Sequence, residues 1–486
     1  MITIKLIDAV NCKIQGLDAD DRRMLSNKFS FMLPHARHTP AYKLGRWNGK
    51  VSFFQVSGST YINLLDQILP ILIEQGHEIE LDDCRSALTL SDFKMPAIDK
   101  NSYSHITWPD GHQLEGQPII LNDHQVSALN IFFKNPQCLQ ELATGSGKTV
   151  ITTALSRSVE PYGRSLIIVP NRTLVTQTEK DYVNMGLDVG VFFGGKREYT
   201  KTHTICTWQS LNSLFKQSKS GEAQISFIDF IKDVVCVIVD EAHMCKGDVL
   251  KSMLAGVMAD IPIRWGLTGT IPKEEHAALE LLVSIGPVEG KVSAVELQEK
   301  GILAQCNVNI KQLQDSVTHT NYQSELKYLL SNDNRLAYIA TMIMNIAKTG
   351  NTLVLVDRVN AGKELEAYLD GKATFVSGAT KAADRQEHYD DVGKVSDKIL
   401  IATYGIAAVG VNIVELYNLV LIEPGKSFVR VIQSIGRGLR VSEDKKHAEI
   451  WDITSSCRFA KRHLTQRKKY YSEVEYPYKV EKVHWE

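Results

Sequence analysis

The chain has no excess of either charge: 55 Lys and Arg against 56 Asp and Glu leave a formal net charge of -1 over 486 residues. That balance excludes a bulk positive field, so nucleic acid, if it is a partner, must be met by local basic surface. Cysteine is sparse, eight residues in all (Cys12, Cys84, Cys138, Cys206, Cys236, Cys245, Cys306 and Cys457). No two lie two residues apart and no histidine follows at zinc-finger spacing, which excludes a metal ribbon and predicts reduced, mostly packed thiols. The opening Met1-Ile-Thr-Ile-Lys-Leu-Ile7 lacks the basic start and apolar core of a signal peptide, and no apolar run approaches bilayer length. The expectation is a soluble, cytoplasmic chain. Short repeats and low-complexity tracts are missing too.

What is present is length enough for roughly three domains of about 150 residues. Ile2, Ile4 and Leu6 alternate as in a half-buried strand, and residues 18–33 carry Met24, Leu25, Phe29 and Met32 at helical spacing. Strand-like runs at 50–56 and 60–64, a helix at 66–75 and a strand at 77–81 complete a β-α-β-β-α-β order. It predicts a small α/β nucleic-acid-binding module over 1–85. Residues 86–118, rich in Pro, Gly, Asp and Asn, read as a linker. Then apolar strand runs alternate with helices at 138–142, 165–169, 191–193, 204–207, 234–239 and 263–267. The series restarts at 307–310, 352–356, 373–376, 398–402, 419–422 and 449–452. Such runs belong to parallel sheets covered on both faces, so two consecutive doubly wound lobes are expected over 119–300 and 301–456, with a basic C-terminal helix and tail over 457–486.

Ala143-Thr-Gly-Ser-Gly-Lys-Thr149 turns from a strand into a helix. Its glycines let backbone N–H groups face phosphates; Thr144, Gly145, Ser146, Gly147 and Lys148 would cradle the nucleotide, Lys148 reaching the β and γ oxygens and Thr149 holding magnesium. Leu142 stands where the general pattern has its first glycine. Downstream, Val237-Ile-Val-Asp-Glu-Ala-His243 ends a valine-rich strand, with Asp240 as a magnesium ligand, Glu241 as the base for the attacking water and His243 as a link to Thr268-Gly-Thr270. Gln125 suits an adenine reader, because a carboxamide both donates and accepts. Finally Gln433-Ser-Ile-Gly-Arg-Gly-Leu-Arg440 puts Arg437 and Arg440 on one helical face, where guanidinium forks supplied across a cleft meet charge developing on phosphate. Each piece alone has a bland counterpart: a glycine turn with an incidental lysine, acidic residues ending a strand, a solvated basic helix.

The three pieces in this order resemble a superfamily 2 DNA or RNA helicase. Pro170-Asn-Arg-Thr-Leu174, Gly194-Gly195, Thr207-Trp-Gln-Ser210, Leu267-Thr-Gly-Thr270, Thr352-Leu-Val-Leu-Val356, Val376-Ser-Gly378 and Ala402-Thr-Tyr-Gly405 through Gly410-Val-Asn412 extend the likeness over 119–456. Asn171 and Ala407-Ala408 depart from it. The leading module and Arg46-Trp-Asn-Gly-Lys50 are similar to the UvsW-type recombination helicases of T-even phages. The resemblance implies two tandem RecA-like parallel-sheet lobes, with ATP and Mg2+ as cofactors and Gln433 at the nucleotide. It also implies ATP-driven remodelling of branched, forked or single-stranded DNA and RNA–DNA hybrids, by a monomer in isolation. The family's nucleic-acid contacts map onto Arg172, Gly195, Thr207, Gln209, Ser377 and Thr403.

Between Arg22 and Lys50 there is no acidic residue after Asp21, while Lys43, Arg46, Trp47 and Lys50 mix cations with an aromatic, as a duplex or fork contact would. A soluble surface is the competing reading there. The basic run from Arg458 to Tyr471 is either a second contact or a solvated helix. Two alternatives stay open at this point: an RNA helicase, and a nucleic-acid-binding scaffold with a decayed nucleotide pocket.

Overall fold

The computed structural model describes residues 1–485 except 34–35, 86–91, 110–113, 246, 381–383, 385–386, 389–396, 408–414, 428–430, 432–434 and 436–446. Its contacts divide the chain into two units, Met1–Leu142 with Gly147–Lys291, and Val292–Glu486 with the short loop Ala143–Ser146. The break thus falls at 291/292, before the helix Ala294–Glu299, rather than at the expected 300/301.

The first unit is built on an eight-stranded sheet. Its order is Lys196–Arg197, Val189–Phe193, His203–Thr207, Arg164–Val169, Val234–Val239, Ile263–Thr268, Gln137–Leu142 and Val288–Val292. The five central pairings from Val189–Phe193 through Gln137–Leu142 are parallel. All six residues of Val234–Val239 are buried, as are all six of Ile263–Thr268, which is why these strands read as unbroken apolar runs. Polar caps start the helices that follow the strands: Asn171 Oδ1 accepts from the Leu174 N–H at 3.1 Å, and Thr207 Oγ1 from the Ser210 N–H at 3.2 Å.

The leading module forms a four-stranded sheet, Ser59–Tyr61, Asn11–Gln15, Ile2–Leu6 and Ile79–Asp83, plus a small ribbon of Ser30–Met32 with Lys50–Ser52. Two of these strands, Asn11–Gln15 and Ser30–Met32, escape the expected β-α-β-β-α-β order. The module is not a separate bead. Its core, with Leu25, Phe29, Phe53 and Leu72, is continuous with Leu279 and Val283 of the helix Glu275–Ser284. Backbone and side-chain bonds stitch the same seam: Ala9 N–H to Ala259 O at 3.0 Å, Asn63 Nδ2 to Leu282 O at 3.1 Å and Gln137 Nε2 to Ala9 O at 2.8 Å. The expected linker is likewise laid onto the first lobe where it is described. Tyr103 is buried with its hydroxyl on Ala154 O, and the Ile98 backbone pairs with the Asn130 side chain.

The second unit carries a seven-stranded parallel sheet ordered Ala373–Val376, Ile399–Thr403, Thr352–Val356, Asn418–Ile422, His447–Ser455, Gln305–Leu313 and Tyr478–Val483. The last strand corrects the expectation of a tail. Val308–Leu313 pair in register with Tyr478–Val483, so the chain beyond 457 completes this lobe. The helix Arg458–Glu473 packs back on His447–Ser455 through a buried pair, Arg467 Nε and Nη2 on the two Asp452 oxygens at 2.8 and 2.9 Å. All eight cysteines are free, and seven are buried. Among the described residues no helix is long and apolar enough to cross a membrane.

Candidate nucleotide site and nucleic-acid contacts

The strand Gln137–Leu142 delivers the chain to the phosphate loop, and the helix Lys148–Val159 leaves it. Gly145 and Gly147 adopt φ of +89° and +79°, the left-handed region that a loop turning its N–H groups inward requires. Thr144 and Gly145 form the loop tip, and Ser146 is buried with its N–H on Ala143 O at 3.1 Å. Leu142, the departure from the glycine pattern, is fully buried, and its carbonyl accepts from Lys148 Nζ at 3.2 Å. A side chain there fills core, and the backbone still does what the loop needs.

Lys148 Nζ also lies 3.3 Å from Glu241 Oε1. Glu241 follows directly on the strand Val234–Val239 and Asp240, and adopts φ +47°, an uncommon conformation for a side-chain-bearing residue. The twist turns its carboxylate back toward the lysine. Its other oxygen faces the Gly269 N–H at 3.4 Å and His243 Nδ1 at 3.6 Å. His243 Nδ1 sits 2.5 Å from Thr268 Oγ1, whose own proton goes to Thr270 O at 2.7 Å, so the imidazole is the donor. Burial, opposed by the Glu241 carboxylate and reinforced by Lys148, holds His243 below its ordinary pKa, which favours the neutral ring. A path of contacts runs from Lys148 to Glu241 and on to the Gly269 N–H, and beside it His243 is bonded to Thr268 and Thr268 to Thr270. Sequence pattern anticipated its members but missed Gly269, whose contribution is a backbone N–H.

Asp240 is enclosed, with one oxygen accepting the Glu241 N–H at 2.8 Å. Burial first, and then the neighbouring Glu241 charge, push its carboxyl up to about 7. An acid shut in beside a second carboxylate is suited to a cation, and Asp240 is the side chain here whose chemistry fits one. Among the described residues no group of three or more His, Cys, Asp or Glu side chains gathers into a metal cage.

Gln125 is buried at the start of the helix Asp123–Lys134. Its Oε1 accepts the Asn122 N–H at 2.9 Å, closing a capping box, while a Cβ placed on Gly147 would come within 2.3 Å of its Nε2. In this arrangement the carboxamide fastens a helix start beside the phosphate loop. The carboxamide has a second lone pair on that oxygen and donors on Nε2, the groups that an adenine edge would meet. Gln433, Arg437 and Arg440 lie outside the described residues.

The family-mapped nucleic-acid positions divide. Arg172, Gly195 and Gln209 are exposed; no atom lies within 4 Å of a Cβ built on Gly195, and Gln209 Nε2 ties the start of the helix Trp208–Ser220 to Pro170 O at 3.2 Å. Thr207 is buried, and its hydroxyl oxygen caps the next helix by accepting the Ser210 N–H at 3.2 Å. Ser377 is buried in a turn in which its hydroxyl accepts the Ala379 N–H at 3.3 Å, and Thr403 ends the strand Ile399–Thr403 half-buried. In the leading module Lys43, Arg46 and Lys50 are exposed around Trp47, whose indole N–H donates to Lys50 O at 2.9 Å.

Comparison with known proteins adds a family context. Residues 118–273 match the model of the Type III restriction enzyme res subunit, and residues 334–442 match the helicase conserved C-terminal domain. The ATP-dependent DNA helicase uvsW of Enterobacteria phage T4 is 24% identical over 470 residues, covering 92% of this chain and 89% of that protein. The DNA 3'-5' translocase XPB2 of Sulfurisphaera tokodaii is 29% identical over 224 residues, 46% of this chain and 45% of its own length. Among solved structures, the ATP-dependent Type ISP restriction-modification enzyme LlaBIII bound to DNA superposes with a TM-score of 0.56 at 14% identity, covering 86% of this chain and 34% of that one. At that identity the likeness is one of fold.

Proposed function

The chain belongs to the superfamily 2 helicases and is an ATP-dependent helicase, and from that premise we propose that it remodels branched DNA: regressing forks, migrating junctions and removing RNA–DNA hybrids in recombination, repair and replication control. The observation that carries the reading is the path from Lys148 to Glu241 and from the other Glu241 oxygen to the Gly269 N–H, with His243 bonded to Thr268 beside it. It joins the phosphate-binding lysine to the loop after the strand Ile263–Thr268, the kind of connection that lets hydrolysis be felt elsewhere.

Lys148 gives up its place beside Glu241 to the β and γ phosphates, which frees the Glu241 carboxylate to orient water and take its proton. Asp240 and Thr149 would hold magnesium, which when bound neutralises charge on the phosphates. Neutral His243, with its Nδ1 proton on Thr268, reports the position of Glu241 to the Thr268–Thr270 loop. From the family resemblance, Gln433 is proposed to meet the nucleotide, and Arg437 and Arg440 to stabilise charge as the γ-phosphate departs. On the nucleic acid, Arg172, Gly195 and Gln209 offer a sequence-independent phosphate track, with Ser377 and Thr403 contributing backbone groups and Lys43, Arg46, Trp47 and Lys50 meeting duplex at a fork.

The test is ATP hydrolysis measured with single strands, duplexes, forks, four-way junctions and R-loops at several salt concentrations, for the native chain and for Lys148→Ala and Glu241→Gln. Forks and junctions stimulating turnover most, with both variants silent but folded, is the expected result. Stronger stimulation by RNA than by matched DNA would replace the reading with an RNA helicase, and hydrolysis surviving in either variant would remove the site assignment.

A further inference from the structure

The helix Arg458–Glu473 has two unlike faces. Ala460, Leu464, Arg467 and Tyr471 point inward and are buried, Arg467 on Asp452. Arg458, Lys461, Arg462 and Thr465 fall at the intervening i, i+3, i+4, i+7 positions and are exposed. The three cations share the rim of a groove of about 600 Å³ with the side chains of Ser316 and Thr318, from the chain that leaves the strand Gln305–Leu313.

Two features argue that this face is more than a solvated helix. The acids nearby are already committed: Asp315 bonds Ser455 and pairs with Arg335, and both oxygens of Glu325 cap the helix, accepting the Phe459 and Ala460 N–H groups at 3.0 and 2.7 Å. The helix end therefore supplies little anion attraction of its own, and the groove's field comes from the three cations, which face no acidic side chain along the helix before Glu473. In a chain of net charge -1 such a concentration is local, and it converges on a concavity lined with hydroxyls. Guanidinium, ammonium and hydroxyl donors around a groove match the phosphodiester backbone, which presents oxygens but asks for no base recognition.

We propose that Arg458, Lys461 and Arg462 form an accessory phosphate-binding groove on the second lobe that grips a nucleic-acid backbone outside the family's motif contacts. This rests on the proposed nucleic-acid function and extends it to a specific surface. The test uses the full chain and a triple variant, Arg458→Gln with Lys461→Gln and Arg462→Gln, titrated by fluorescence anisotropy with a labelled single strand and a labelled duplex from about 50 to 300 mM KCl. Losing three phosphate contacts makes the log-affinity against log-salt slope shallower by about 2.7 on duplex or about 2.1 on a single strand. Whichever substrate shows the change identifies the strand in the groove. Hydrolysis without nucleic acid should be unchanged, because none of the three touches the nucleotide site. Lys461→Gln alone, shallower by about 0.9 or 0.7, carries the test if the triple variant fails to fold. Slopes and affinities equal to wild type on both substrates would overturn the groove while leaving the helicase reading intact. A wild-type chain that no nucleic acid stimulates would instead sink the functional reading beneath it.

Discussion

Replacing Arg467 with methionine should unfold the second lobe early without touching nucleic-acid affinity, although the residue sits in the most basic stretch of the chain. Its guanidinium is fully buried, forked onto both oxygens of Asp452, and its third nitrogen donates to Gly425 O at 2.7 Å. Asp452 has one further partner there, the Tyr471 hydroxyl at 2.8 Å. Removing the arginine leaves an enclosed carboxylate with a single neutral donor, a change that costs about 3–5 kcal/mol. For a lobe of this size that lowers the melting temperature by on the order of 10 °C. Making the second change, Asp452→Leu, removes the stranded charge, so the double variant should recover most of the loss. Thermal unfolding of the wild type, both single variants and the double variant reads the cycle, and anisotropy titrations read the salt slope. A melting temperature unmoved by Arg467→Met, or a slope made shallower by it, would refute the buried pair and return Arg467 to the surface.

Asp240→Asn should abolish turnover yet stabilise the nucleotide-free protein. The Asp240 carboxyl, raised from 3.8 to about 7, keeps its proton in the folded state across that window while the unfolded chain loses it. The associated stability is present at low pH and lost as pH climbs through the window, so the variant's advantage in melting temperature should be larger at pH 8 than at pH 5.5, with a ceiling of about 4 kcal/mol. An equal gap at both pH values would contradict it. Gln125→Glu keeps an acceptor for the Asn122 N–H but loses the amide donor beside Gly147, so melting should hold while discrimination of ATP from GTP falls; unchanged discrimination removes Gln125 from base reading. Thr268→Val deprives the His243 and Thr270 N–H groups of their acceptor, about 1–3 kcal/mol for each buried donor left unmet. Parallel hydrolysis and strand-displacement assays should show displacement failing first, and equal losses would mean that the loop serves hydrolysis alone.

The parallel strands were legible because burial on both faces leaves short, β-branched apolar runs: Val234–Val239 and Thr352–Val356 appear at their expected bounds. What stayed hidden has a physical cause in each case. Tyr478–Val483 is an edge strand exposed at five of its six positions, so it carries no apolar run, and nothing local distinguishes it from a tail. Asn11–Gln15 alternates over only five residues, too few to separate from a turn. At the site, residue types pointed to Lys148, Asp240, Glu241 and His243 because the expected chemistry asks for those side chains, and the structure brings Lys148 and His243 to 3.3 and 3.6 Å from Glu241. The Gly269 N–H and the Leu142 carbonyl could not be found that way, since any residue supplies them. Thr207 and Asn171 show the converse. Each matches or departs from a nucleic-acid motif on paper, and each caps a helix with its side-chain oxygen.

The leading module illustrates why a domain boundary drawn from composition differs from a mechanical one. Its hydrophobic core runs without interruption into Leu279 and Val283, each worth about 1.5–3 kcal/mol when fully buried, and five hydrogen bonds among the described residues cross the same seam. A seam of that strength keeps all but a small fraction of molecules closed at equilibrium. The exposed cluster of Lys43, Arg46, Trp47 and Lys50 therefore moves as part of the lobe that holds Lys148 and Glu241. Deleting residues 1–85 would expose Leu279 and Val283 and cost the ATPase as well as DNA binding, so truncation is the wrong instrument for separating the two activities. Charge reversal of Lys43 and Arg46, exposed and outside the core, is the right one. If hydrolysis without DNA falls in that variant as steeply as fork binding does, the cluster is tied to the catalytic lobe by more than rigid attachment.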